Sequence, residues 1–403
     1  MVTEVDQDPR APEFVQNPYD FYARVRGLGP VFHWNQYGHI CTASHAEVNG
    51  LLRDRRFGRS VLHLTTRHAL GWPEPDPRLA DFHAVERHSL LELEPPDHTR
   101  LRTLVTRAFV SRQVERLRPA IAALAASLID RFSGTTVDLL EAFATPIPVQ
   151  AIAALLDVPA GMAPKLLAWS HAMVAMYQFG RDAEVERAAD IAAGEFAAYM
   201  RSEIAARRAR PGDDLLTQLA APGSDGARLS DAEIVGTSIL LLNAGHEASV
   251  HAISNGVLAI LRSGLDPAAL FATPTSTATA IEEILRFDPP LHMFTRYALE
   301  DVSIGRARLR LGDQIGLLLG AANRDPARYP DPDRFDPTRD ASGHTSFGAG
   351  IHFCLGAPLA RLELEVALPL LFTRFPRLAL AGPPAYRDTY HFHGLERLLV
   401  STR

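Results

Sequence analysis

Cys354 is the side chain in this sequence best placed to do chemistry. It lies in the run S-F-G-A-G-I-H-F-C-L-G-A-P-L-A-R-L-E, Ser346 to Glu363, and is one of two cysteines in 403 residues. Gly348, Ala349 and Gly350 permit a tight turn and a close approach of backbone to a large ligand. An apolar helix beginning near Pro358 follows, and the partial positive charge at its N-terminal end favours a thiolate. A buried structural cysteine is the ordinary fate of a lone thiol. A nucleophile needs a histidine base, and His352, two positions away in a tight loop, is badly placed for that work. A second chemical candidate is the run N-A-G-H-E-A-S from Asn243 to Ser249, where Gly245 and Glu247 interrupt an apolar helical stripe. A glycine inside a helix needs a reason. One reason is a close helix crossing, with Glu247 paired to a nearby arginine; the other is a local opening of the helix, with Glu247 as a proton-relay acid.

A third reading makes Cys354 the axial thiolate ligand of haem iron. Phe347, Gly348, Gly350, His352, Cys354 and Gly356 fit, position by position, the haem-binding signature F-G-x-G-x-H-x-C-x-G. The chain resembles the cytochrome P-450 family, of the soluble bacterial type, over essentially its whole length. That resemblance implies a mainly α fold with small β-sheets, a single large domain in which a long central helix lies over haem b. It also implies a haem-thiolate monooxygenase that inserts one oxygen atom from dioxygen into a small or medium apolar substrate, expected to be an oxygenated organic compound. Cys354 is then the metal ligand, Phe347, Gly348 and Gly356 belong to the cofactor loop, and His98, Arg102, Arg296 and His352 are partners of the haem propionates. Four donors for two carboxylates is chemically sensible. Ala244, Gly245 and Glu247 match the family's A-G-x-[D/E]-T pattern, but Ala248 stands where the family has a threonine whose hydroxyl helps deliver protons. Ser249, ordered water or a hydroxyl on the substrate is expected to complete the relay. Glu283 and Arg286, with Arg334, are expected to form a buried network bracing the ligand loop. Electrons are expected from a ferredoxin or flavodoxin and its reductase, docking near Arg107, Arg112 and Arg361. The alternatives are a peroxide-driven peroxygenase and a haem-binding sensor without turnover.

The elements that must position these residues can be read along the chain. With 47% hydrophobic residues and no Ser/Gly/Pro linker, the expectation is one domain over 1–403. A net charge of -6 without long runs of either sign argues against nucleic acid as a partner. Lys165 is the sole lysine, so the positive charge is nearly all arginine. Cys41 and Cys354 make no disulfide framework, and no segment approaches the roughly 20 apolar residues that span a bilayer. A cytoplasmic protein without a membrane anchor is expected. Strands are expected at 31–34, 39–42, 294–299, 306–311 and 314–319. Periodicity fails over about 57–96, expected to be an irregular substrate-covering segment. Asp97 is expected to cap a helix that puts His98 and Arg102 on one side. Ser230 and Glu233 form a capping box opening the long central helix, 230–262. The ligand loop and its helix cover 346–363, and 378–380 with 395–400 read as a final hairpin. Pocket contributors are expected among Leu241, Leu242, Ala244, Leu291, His292, Met293, Phe294 and Phe392, with Met173, Met176, Tyr177 and Phe179 on a possible lid.

Overall fold

The computed structural model describes residues 2–402 apart from 110, 224, 225 and 391. Helices dominate, as expected. Seven of them frame the site: α1 (Asp97–Ala108), α2 (Pro146–Leu155), α3 (Ala163–Val174), α4 (Ala183–Ala209), α5 (Asp231–Ser263), α6 (Pro274–Phe287) and α7 (Ala357–Arg374). In α1, Leu101, Val105 and Ala108 recur at helical spacing and are buried together. The helix starts one residue earlier than the sequence suggests: Pro96 occupies the N-cap, and Asp97 caps nothing because it already sits in the first turn. In α3, Lys165 lies with its ammonium 4.8 Å from the centre of the Trp169 ring.

The central helix is α5. Its capping box is complete, with Ser230 accepting from the Glu233 amide and Glu233 accepting from the Ser230 amide, and it ends on Gly264 at φ 69°. Its 33 residues run about 50 Å at the usual rise. Every residue from Ser249 to Ile260 is buried, the signature of a helix surrounded by protein on all sides. It packs on α2, α3, α4, α6 and α7. The expected opening around Gly245 is not present, since α5 is a continuous α-helix through that stretch. The glycine serves the crossing with α2, where an added Cβ would stand 2.7 Å from Ile152 Cδ1.

A six-stranded sheet flanks the helices. Its strands are β1 (Thr3–Val5), β2 (Phe32–Trp34), β3 (His39–Thr42), β4 (Phe57–Gly58), β5 (Met293–Ala298) and β6 (Gln314–Leu318), in the order β1-β2-β3-β6-β5-β4. β5 and β6 pair antiparallel with Arg296 opposite Ile315, which fixes the face from which Arg296 projects. The 57–96 segment is less irregular than its composition suggests, because Ala80–Glu86 is a short helix burying Phe82 and Val85. Two large apolar residues in seven positions are too few for a periodicity to register. The C-terminal hairpin is also revised: Leu399–Ser401 pairs with both Ala379–Leu380 and Thr136–Asp138, while Leu395–Arg397 pairs with Ala385–Tyr386. Among the described residues no helix is long and apolar enough to cross a membrane.

Candidate active site

The loop carrying Cys354 is held by backbone bonds that its glycines make possible. The Cys354 amide donates to the Phe347 carbonyl at 2.9 Å, and the Gly348 amide donates to Thr345 at 2.8 Å. Gly350 has φ +71°, and a Cβ there would run into the Leu52 carbonyl, so both conformation and space exclude other residues. Ser346 Oγ donates to the Leu285 carbonyl of α6 at 2.7 Å and accepts from Asn323 at 2.8 Å, tying the loop to the core. Gly356 is the N-cap of α7, and its Cβ position lies 3.8 Å from Cys354 Sγ. Burial pushes the Cys354 thiol up from its ordinary value, opposed by the Gly356 and Ala357 amides and by Arg102 and Arg361. The helix end therefore helps the thiolate, as expected, but burial outweighs it.

Beneath the loop, the Arg361 guanidinium lies 4.7 Å from the centre of the Phe347 ring and forks onto Glu282 at 2.5 and 2.9 Å. Arg361 is thus a bracket for the loop, not a surface charge awaiting a partner. Arg107 borders a surface groove with Pro96 and Thr103, and the side chain of Arg112 lies outside the described residues. The Glu283–Arg286 pair is fully buried, with bonds at 2.7 and 2.8 Å. Its third member is Arg339, with Nε 3.6 Å from Glu283, and Arg334 is exposed. Arg334 sits in the tight 331–334 turn, where its side chain points outward, whereas Arg339 folds back over the turn to the carbonyls of Pro330 and Asp331.

The four expected propionate partners come together on one side of this loop, with an unbalanced charge. His98 is 2% exposed, neither ring nitrogen has a hydrogen-bond partner among the described residues, and the ring centre lies 4.3 Å from that of His352. Arg102 donates to the Phe353 carbonyl at 2.7 Å. Arg296 is 3% exposed, donates to the Thr295 carbonyl at 2.9 Å, and meets no carboxylate among the described residues. Burial, then repulsion from Arg59, pushes its guanidinium down to about 9. His352 Nε2 is 3.2 Å from Glu94, which also accepts from the Arg59 amide. Arg59 itself forks toward Glu92 at 2.7 Å and the Thr295 carbonyl at 3.3 Å. Arg59 and Glu94 escaped the sequence reading because they lie in the aperiodic 57–96 segment. The two glutamates are already engaged, so His98, Arg102 and Arg296 remain as unneutralised donors.

Across α5 lies Glu247, 13% exposed at its side chain. Its Oε2 is 3.6 Å from His171 Nε2 and 3.8 Å from His246 Nε2, and its Oε1 is 4.0 Å from Arg387 Nη1. Burial pushes the carboxyl up, but the His171 imidazole beside it and the charges of His251, His246 and His171 overcome that and hold it at about 2. The crossing reading of the glycine-glutamate run therefore holds in both its parts, the close approach at Gly245 and the acid beside an arginine, whereas the opened helix does not. A cavity of about 170 Å³ opens here, lined by His171, Glu247, His251, Arg387 and Phe392. Ser249 points elsewhere. Two residues past Glu247 it is about 200° around the helix, beside Glu363 of α7, whose carboxyl is pushed up by burial to about 8 against the pull of Ser249. Of the remaining pocket expectations, Ala244 is exposed, whereas Leu242, His292, Met173 and Met176 are buried in the core, and Tyr177 donates to Glu86 at 3.0 Å. Histidines 171, 246 and 251 were missed as a group because they converge from two helices and only one of them neighbours the acid in sequence.

The family sequence model described as Cytochrome P450 matches residues 275–382. The biotin biosynthesis cytochrome P450 of Bacillus subtilis is 35% identical over 96% of this chain and 97% of its own length. The chain belongs to the cytochrome P450 family. The 6-deoxyerythronolide B hydroxylase of Saccharopolyspora erythraea is 40% identical over 76% of each chain. An epothilone B-bound cytochrome P450 superposes with a TM-score of 0.90 at 30% identity, covering 99% of this chain and 100% of that one. Cytochromes P450 of this kind are monooxygenases that bind haem b through a cysteine and draw electrons from a redox partner. The residues present fit that cofactor. A macrocycle with two carboxylates would supply the anionic partners that buried His98 and Arg296 lack, and Cys354 projects from a loop whose glycines allow a flat ligand to approach.

Proposed function

We propose that this cytochrome P450 inserts one oxygen atom from dioxygen into a medium-sized apolar substrate that carries its own hydroxyl group. Cys354 holds the haem iron, and His98, Arg102, Arg296 and His352 hold the propionates. Bound there, the haem supplies thiolate-assisted cleavage of an O–O bond. Glu247 delivers protons from the cavity side, and Phe347, Gly348 and Gly356 shape the ligand loop. The observation that carries the substrate reading is that no hydroxyl among the described residues follows the acid on its own helix face: Ala248 offers a methyl, Ser249 is turned toward Glu363, and Thr389, which lines the same cavity, already donates its hydroxyl to the Phe392 carbonyl at 3.0 Å. A substrate hydroxyl, with water, supplies the missing donor. Electrons come from a separate ferredoxin or flavodoxin and its reductase, with Arg107 on the candidate docking side. A reducing cytoplasm suits the free Cys41 and Cys354.

The test is the ferric absorption spectrum, titrated with 6-deoxyerythronolide B, epothilone B, steroids and hydroxyl-free analogues of each. A shift from low to high spin with the hydroxylated compounds, followed by oxidation that requires the redox partner, is the expected result. Oxidation by hydrogen peroxide alone would replace this reading with a peroxygenase. A haem spectrum that moves with no compound, without turnover, would favour a sensor.

A further inference from the structure

We propose that His171, His246 and Glu247 form a binding site for a divalent transition-metal cation with zinc's ligand preferences, and that its occupancy takes Glu247 out of proton transfer. The second half rests on the proton-delivery role given to Glu247 above. The three ligand atoms lie within 4.8 Å of one another. His171 Nε2 and His246 Nε2 stand 3.6 and 3.8 Å from Glu247 Oε2, too far for good hydrogen bonds. They are close to the separation of two ligands on one ion, since bonds of about 2.0–2.1 Å at a tetrahedral angle put ligand atoms about 3.3–3.4 Å apart. A small rotation of His171, whose side chain is 47% exposed, closes the difference.

The stronger sign is His246. It is wholly buried, both ring nitrogens lack a hydrogen-bond partner among the described residues, and its Nε2 faces the same carboxylate oxygen as His171. A buried imidazole without a partner is costly, and coordination would satisfy it. Arg387 opposes a cation but approaches the other oxygen, Oε1, at 4.0 Å and leaves Oε2 open. Imidazole and carboxylate together select zinc or its first-row neighbours over magnesium or calcium. The cavity of about 170 Å³ beside the three residues gives an entry path and room for water as a fourth ligand. The other comparable group, Asp288, His292 and His393, is already spent. There the carboxylate accepts from Tyr19 at 2.6 Å and Tyr386 at 2.7 Å, and all three residues are buried.

Calorimetric titration of the haem-loaded enzyme with zinc chloride, paired with steady-state turnover, tests both halves. One equivalent of zinc is expected to bind without changing the ferric spectrum, and more weakly by about tenfold or more in His171→Ala and in His246→Gln. Turnover should fall in step with occupancy, and His171→Ala should relieve the inhibition. Absence of stoichiometric binding, or equal binding by both variants, overturns the site and leaves the proposed function standing. Tight binding that both variants weaken, without inhibition, upholds the site and overturns the role of Glu247 in proton delivery.

Discussion

At Ala248 the chain places a methyl beside its acid, and the consequence can be measured with one substitution. Ala248→Thr restores the hydroxyl, so it should raise the share of electrons that ends in product for substrates lacking a hydroxyl and leave hydroxylated substrates unchanged. Product formed per reductant consumed is the readout, and a collapse of coupling with both classes, at unchanged substrate affinity, would sink the substrate-hydroxyl idea. The Glu283–Arg286 pair gives a second single-residue expectation. Both groups are fully buried, so Glu283→Ala strands a guanidinium and should cost about 3–5 kcal/mol of stability, read by denaturant unfolding. At this scale the sequence was legible wherever the requirement is local. The spacing F-G-x-G-x-H-x-C-x-G describes a turn whose bonds run between near neighbours, so the loop geometry was visible in the letters. Partner choice over long separations was not: Arg339 in place of Arg334, Glu282 claiming Arg361, and Arg59 beside Arg296 all depend on where distant segments meet.

Between elements, the contact of α5 with α7 buries Glu363 beside Ser249. Its carboxyl titrates at about 8 in the folded protein against an ordinary value of 4.5. The folded state therefore holds a proton that the unfolded chain has lost, and this contribution is complete below pH 4.5 and is lost as pH rises through 8. Glu363→Gln keeps the shape and removes the titration. Its melting temperature should match the parent near pH 4.5 and exceed it at pH 8, and parallel curves would show that Glu363 is not the titrating group. The helices themselves were readable because their signals are short-range: the Ser230 and Glu233 box opens α5 where the spacing says it should, and the buried run continues to Ile260, within a turn of its end. Asp97 misled because a residue able to cap lay inside a turn already begun by Pro96. The terminal ladders misled because Thr136–Asp138, the strand completing them, lies more than two hundred residues away.

Taken as a whole molecule, the protein gathers buried positive charge around one loop without enough acids to match it. Haem-free protein should therefore melt below the haem-loaded form, as expected when a ligand binds only the folded state. Arg296→Gln should act in opposite directions on the two, raising the melting point of the haem-free chain while speeding transfer of haem to an acceptor protein. A fall in both would mean that Arg296 serves packing, not the cofactor. The same arginine-rich composition has a practical outcome at the far side of the fold. Because Lys165 is the sole lysine, and stands 57% exposed over Trp169 at the start of the helix that carries His171, a fluorophore with amine chemistry has one side chain to reach, once the more acidic α-amine of the chain is blocked at lower pH. Haem absorbs visible light and quenches nearby dyes, so a label at Lys165 becomes a ruler for how far that helix travels as substrate enters.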